Sequence, residues 1–213
     1  MGPHGAPAWH AILDGAEEIL RDEGYAALNA KKIAERIGIK RQLVYYYFRD
    51  NDALFVDMIE RLAARQLSQL KDSLGSGTPL RQTWDAGLFA TDATLISEFL
   101  VLANRSKAVR KAITSYIEAA REIQIAALDK AMKGLGAPLS EMSGAAWALL
   151  AMGVAFMLQR EAALGITKGH RELSAAIETF ISFTESRQTA GDAEKPPVPS
   201  RAAKKSGGVR KGA

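Results

Sequence analysis

Residues 30–49, AKKIAERIGIKRQLVYYYFR, constrain the fold more than any other stretch of this chain. Ile33, Ala34 and Ile37 recur at helical spacing before Gly38, and Leu43, Val44, Tyr47 and Phe48 line one side of a second helix after it. A short helix, a glycine turn and a second short helix make the helix-turn-helix pattern. In that pattern the second helix lies in the DNA major groove, with residues near its start at base edges. Charge agrees. Between residues 29 and 49 the bases Lys31, Lys32, Arg36, Lys40, Arg41 and Arg49 stand against the single acid Glu35.

The flanks extend the same all-α reading. Ile12, Leu13, Ala16, Ile19 and Leu20 form the inner face of a helix over about 8–23, stopped by Gly24. Its other residues (Asp14, Glu17, Glu18, Arg21, Asp22, Glu23) are mostly acidic, a poor surface to lay on phosphate, and read as solvated. Asn29 stands where a helix N-cap belongs, and Asp50 where the next helix would be capped. That helix, about 51–74, carries Leu54, Phe55, Met58, Ile59, Leu62, Leu67 and Leu70, and GSGTP at 75–79 breaks it. Helices are expected over about 80–90, 92–104, 106–133, 141–164 and 170–187, with breaks at GLGAP 134–138 and GITKGH 165–170. Ser140 or Ser143 offers a cap for the 141–164 helix, which is apolar nearly all round and should be covered on several sides. No alternating strand pattern and no internal repeat occurs.

The expected domains are a disordered N-terminus over 1–7, a helix-turn-helix domain over 8–50, a larger helical domain over 51–187 and a disordered basic tail over 188–213. The chain carries a net charge of +4, and the tail accounts for it with six bases against two acids. Any field for nucleic acid on the body is therefore local to the helix-turn-helix. The tail either adds non-specific DNA affinity at low salt or serves as a solubilising extension.

Composition excludes several classes. There is no cysteine among the 213 residues, so disulfides and cysteine-based metal sites or nucleophiles are out, which fits a reducing cytoplasm. No signal peptide is expected, and the most apolar run, 144–158, is shorter than the roughly 18 residues a membrane span needs. There is no HExxH, no GxxxxGK[ST] and no GxSxG, so an all-α enzyme is the weaker reading and neither cofactor nor metal is expected.

Residues 12–54, ILDGAEEILRDEGYAALNAKKIAERIGIKRQLVYYYFRDNDAL, resemble the N-terminal domain of the tetracycline-repressor-like (TetR) family of bacterial regulators. The helix-one ILDxA, the GY after it, the IAxRxG of the second helix and the LVYYYF followed by AL fall in register without gaps. The resemblance implies a homodimer that binds a palindromic operator and releases it when a small molecule enters the second domain. It places Arg41, Gln42, Leu43, Tyr45, Tyr46 and Tyr47 at DNA from the recognition helix, Asn29, Ala30 and Lys31 at phosphate, and Asn51 where the family often has a phosphate-binding lysine. Three features depart from the pattern. Lys40 replaces the usual capping serine but can itself bind phosphate, Leu43 replaces a small polar residue, and no basic arm precedes the first helix.

Each assignment has a competitor. Arg41 suits guanine and Gln42 adenine, unless both are solvated helix-start residues. Tyr45 and Tyr46 suit phosphate. Leu43 either touches a thymine methyl or is buried, and Tyr47 either reaches DNA or packs beside Phe48. Lys32 and Arg36 are either phosphate contacts or solvated charges. Trp84, Phe99, Tyr116, Trp147 and Phe156 either line a ligand cavity or belong to ordinary core. With no Lys or Arg inside 141–158, and His4, His10 and His170 outside the presumed cavity, a lipophilic ligand is expected. Leu149, Met152, Ile177, Phe180 and Ile181, on the last two helices, are the expected dimer contacts. The leading reading is a ligand-responsive DNA-binding regulator, most often a repressor. A ligand-free architectural DNA-binding protein is the alternative.

Overall fold

The computed structural model describes residues 2–75, 78–88, 93–133 and 142–193, with the side chains of 93 and 188–193 outside that description. Nine α-helices and no strand occur among the described residues. They are α1 (Pro7–Glu23), α2 (Ala30–Ile37), α3 (Arg41–Tyr47), α4 (Asn51–Gly75), α5 (Pro79–Leu88), α6 (Ala93–Ala103), α7 (Lys107–Lys133), α8 (Gly144–Ala163) and α9 (His170–Ala193), with a 3-10 turn at Tyr25–Ala27.

Local chemistry sets the boundaries of the first four helices. Gly24 ends α1 at φ 74°, and Gly38 ends α2 in the left-handed region at φ 70°, both conformations that a Cβ disfavours. Asn29 caps α2, its Oδ1 accepting from the Lys32 N–H at 3.0 Å. Asp50 caps α4 in the same way through the Ala53 N–H at 2.9 Å. That hydrogen bond, with Arg49 beside it, holds the Asp50 carboxyl below the usual carboxylate range. Lys40 makes no side-chain cap for α3. Ser143 caps α8 by accepting from the Ala146 N–H at 3.1 Å, whereas Ser140 and the 134–138 break lie outside the described residues.

Two expected ends are corrected. Residues 2–7 are not a loose leader. The Gly2 N–H donates to the Tyr46 carbonyl at 2.9 Å, and a Cβ at Gly2 would collide with the Tyr46 and Tyr47 rings. The last helix runs on to Ala193 rather than stopping at 187. The basic residues of the tail, from Lys195 onward, lie outside the described residues.

The apolar residues bury into two clusters. The first joins Ile12, Leu13, Ile19 and Leu20 of α1 to Ile33, Val44, Phe55, Met58 and Leu62, and continues into Leu95 and Phe99 of α6 and Val109 and Ile113 of α7. The helix-turn-helix unit therefore shares its core with the helices that follow it. The second joins Leu80 and Trp84 of α5 to Leu128 and Met132 of α7, to Trp147, Ala148, Ala151, Ala155 and Leu158 of α8, and to Ile181 of α9. One helix, α7, runs through both, contributing its first turns to one cluster and its last turns to the other.

Polar joints hold these helices in place. The Tyr25 N–H donates to Glu98 at 3.2 Å, Ser106 donates to Asp52 at 2.6 Å, and Arg105 reaches the Tyr25 hydroxyl. On the far side, Arg81 of α5 bonds Glu178 at 2.8 Å and Glu185 at 2.9 Å on α9. Burial pushes the Glu185 carboxyl up, but hydrogen bonds from Arg81 and Thr78 outweigh it and leave it below its ordinary value. Nearby Asp85, without such donors, is raised by burial.

Candidate nucleic-acid interface and cavity

The recognition helix α3 divides cleanly between inside and outside. Val44, Tyr47 and Phe48 turn into the first core, while Lys40, Arg41, Gln42, Tyr45 and Tyr46 face solvent. Tyr45 and Tyr46 are each 53% exposed, a large apolar area to leave in water without a partner. The Arg41 guanidinium lies 5.5 Å from the Tyr45 ring centre, so cation and ring hold each other on the outer face. Leu43 is half-buried against the core and, with Ile39, Lys40, Gln42 and Tyr46, walls a shallow apolar depression on that face.

The remaining sequence-based DNA contacts are placed as follows. Tyr47 is buried with its ring edge-on to Tyr46 at 5.2 Å, so it supports the exposed face of α3 from beneath. The Asn29 amide is engaged at both ends, accepting from Lys32 and donating to the Ala27 carbonyl at 3.2 Å, so it shapes α2. Lys31 is exposed and loosely paired with Glu35 at 3.8 Å. Asn51 stands exposed at the start of α4.

The positive charge of the helix-turn-helix is much narrower than the sequence implies. Arg36 bonds Asp22 at 3.3 Å and Glu23 at 3.1 Å, and Lys32 also pairs with Glu23. Both bases therefore neutralise the acidic face of α1. Arg49 pairs with Asp50 at 3.1 Å. Among the described residues, Lys40 and Arg41 keep no carboxylate partner, and both stand at the start of α3, where base edges would lie.

Behind α1 sits a feature the sequence reading missed. Glu17 is only 5% exposed. Arg61 of α4 bonds it at 3.1 Å, Arg65 at 3.4 Å and Arg21 at 3.3 Å. It is a buried joint between the helix-turn-helix and α4, where a solvated face was expected.

The second candidate site is a cavity of about 520 Å³, within the range of small-molecule pockets. It lies where the two cores separate. The middle of α7 forms one wall with Tyr116, Ile117, Arg121 and Gln124. The end of α4 forms another with Gln66, Gln69, Leu70 and Ser73, and α6 adds Ile96 and Leu100. From α8 come Leu149, Met152 and Phe156, together with Gln159, whose amide donates to the Gly87 and Leu88 carbonyls at 2.6 and 2.9 Å.

Of the five aromatic candidates, Tyr116 and Phe156 line this cavity, whereas Trp84, Phe99 and Trp147 do not. Phe99 is sealed in the first core, and Trp84 and Trp147 in the second. The expected dimer contacts divide between buried and exposed positions. Ile181 is 0% exposed within a single chain and cannot touch a partner. Ile177 and Phe180 pack half-buried on the second core, the latter with its ring 5.2 Å from Trp147. Leu149 and Met152 border the cavity. On these two helices the large apolar side chains facing solvent are Leu149, Leu150, Phe156 and Met157 of α8 and Phe183 of α9. No histidine lines the cavity, no set of three metal-ligating side chains occurs among the described residues, and no helix there is long and apolar enough to cross a membrane.

Comparison with known proteins agrees with this arrangement. Residues 12–58 match the family model of bacterial regulatory proteins of the tetR family. A transcriptional repressor of Mycobacterium tuberculosis is 35% identical over 65 residues, which cover 29% of this chain and 35% of that protein. The match thus spans about a third of that relative's length. A regulator encoded in the dhlA 5′ region of Xanthobacter autotrophicus is 27% identical over 143 residues, covering 61% of this chain and 71% of that protein. The TetR transcription regulator of Haloarcula marismortui superposes with a TM-score of 0.60 at 19% identity, over 86% of this chain and 97% of that one. That last likeness establishes the shared fold.

Proposed function

We propose that the chain is a TetR-like transcriptional regulator that binds a palindromic operator as a homodimer and represses transcription until a small molecule enters its cavity. One observation carries the DNA-binding part. The exposed start of α3 gathers Lys40, Arg41, Gln42, Tyr45 and Tyr46, with Lys40 and Arg41 free of carboxylate partners. Arg41 and Gln42 would read base edges, while Lys40, Tyr45 and Tyr46 would grip phosphates and set the register. Asn51, at the start of α4, would add a phosphate contact.

Solvent-facing Leu150, Met157 and Phe183 support the dimer, since a two-fold partner would cover them with its own copies. The position of α4 supports ligand control. Its last turns wall the cavity, and its middle holds α1 through Arg61, Arg65 and Glu17. A ligand that binds one tilt of α4 better than another shifts the spacing of the two recognition helices, and only that difference in affinity does so. Action in the cytoplasm, without enzymatic turnover, accords with this role.

The test is a gel shift with the DNA flanking the protein's own gene, at about 150 mM salt because phosphate contacts inflate non-specific binding at lower salt. A discrete band should survive random competitor DNA and truncation after Arg187, and should be lost in the Gln42→Ala/Tyr46→Ala double variant. A band that competitor removes, or that needs the tail, would instead favour an architectural DNA-binding protein.

A further inference from the structure

Resting on the reading of the cavity as the effector site, we infer that its ligand is an amphipathic monocarboxylic acid, with its carboxylate on Arg121 and its apolar body along Leu70, Leu100, Ile117, Leu149 and Phe156. The charge pattern of the wall is the ground for this. Arg121 is half-buried, and among the described residues no carboxylate lies within ion-pair distance of it. Among the described residues no Asp or Glu lines the cavity, and Arg121 is the single formal charge in its wall. The other polar lining groups are neutral: the glutamines 66, 69, 124 and 159, Ser73 and Tyr116.

That pattern discriminates among ligand classes. A cation would enter against Arg121 with no acid to receive it. A neutral lipophile would strip water from the guanidinium and return no hydrogen bonds, leaving a desolvated charge. A dianion such as a phosphate monoester would neutralise Arg121 but bring a second charge into a wall that is mostly hydrocarbon. A carboxylate balances the single charge, and its two oxygens match the planar guanidinium fork. Buried Gln124, one turn along the same face of α7 from Arg121, is placed to donate an amide N–H to the same head group. The amide of Gln159 is already committed to the end of α5, so it shapes the wall without binding the head group.

The experiment is calorimetric titration of the full-length protein, without DNA, using four ten-carbon probes that differ only in head group: decanoate, decanol, decylamine and decyl phosphate. Decanoate should bind one per chain and tightest of the four. Arg121→Gln should weaken decanoate at least ~10-fold, the loss of one charge-assisted fork, with Arg121→Lys recovering part of it. The same variants should leave decanol within ~2-fold, because its binding rests on apolar burial. Circular dichroism melts of both variants confirm that they fold. If they do not, the ranking of the four probes on the wild-type protein decides alone.

The inference is overturned if decanol, decylamine or decyl phosphate binds as tightly as decanoate. It is equally overturned if none binds, or if Arg121→Gln weakens decanoate and decanol alike. Loss of the gel-shift band by wild-type protein would defeat the proposed function and leave these titrations untouched, so the two failures are separable.

Discussion

At Glu17 a carboxylate that helical periodicity places on an acidic outer face is held at 5% exposure by the arginines of another helix. Removing one partner from a buried ion pair costs more than the pair contributes, because the remaining charge stays out of water. Arg61→Ala should therefore lower the unfolding free energy by ~2–4 kcal/mol in urea titration, with Arg65 and Arg21 limiting the loss. Adding Glu17→Gln to that variant should restore part of it, since the stranded charge is then gone. A loss below ~0.5 kcal/mol, the usual range for exposed pairs, would show that Glu17 is solvated after all. Sequence could not reveal this pairing, because Arg61 and Arg65 stand 44 and 48 residues further along the chain. What is local was legible. Asn29, Gly38 and Asp50 announced the cap, turn and cap that the structure contains, since each acts on backbone within three residues of itself. Arg121 carries no such local mark, because its place at the cavity is set by helices remote from it in sequence.

Among the elements, α3 trades stability for contact. It is seven residues long and follows Lys40 at the N-cap position, whose side chain makes no cap. Lys40→Ser should supply the missing acceptor and raise stability by ~0.5–1 kcal/mol. The same change should cost one phosphate contact, so the slope of log affinity against log salt should fall by about 1. Thermal unfolding and a salt series of gel shifts read the two effects separately. An unchanged slope would place Lys40 away from the phosphates. The inward face of α8 shows the limit of periodicity. Its sequence is apolar all round, so spacing alone cannot choose a face. Small residues choose it: a Cβ built on Gly87 of α5 would stand 2.7 Å from the Ala155 Cβ, so the two helices meet along Gly87, Ala151 and Ala155. That close approach carries Trp147 into the core and turns Leu150 and Met157 outward.

For the whole molecule, the outward stripe predicts assembly. Wild-type protein should sediment as a dimer at micromolar concentration, and Leu150→Asp/Met157→Asp should sediment as a monomer with an unchanged far-ultraviolet spectrum. Charge placed on an apolar contact must be desolvated without a partner, which a dimer of ordinary stability does not survive. A dimer that persists in the double variant would move the interface elsewhere. The arrangement of two cores with a gap between them bears on a different property, the capacity of the chain to change. Leu70, Leu149 and Phe156 border the gap but belong to neither buried cluster. Substitutions there leave both cores filled and the α3 surface untouched. Under the proposed function, a lineage can therefore drift toward new chemical signals at its seam while keeping its fold and its address on the genome, and a laboratory selecting custom sensors has the same freedom.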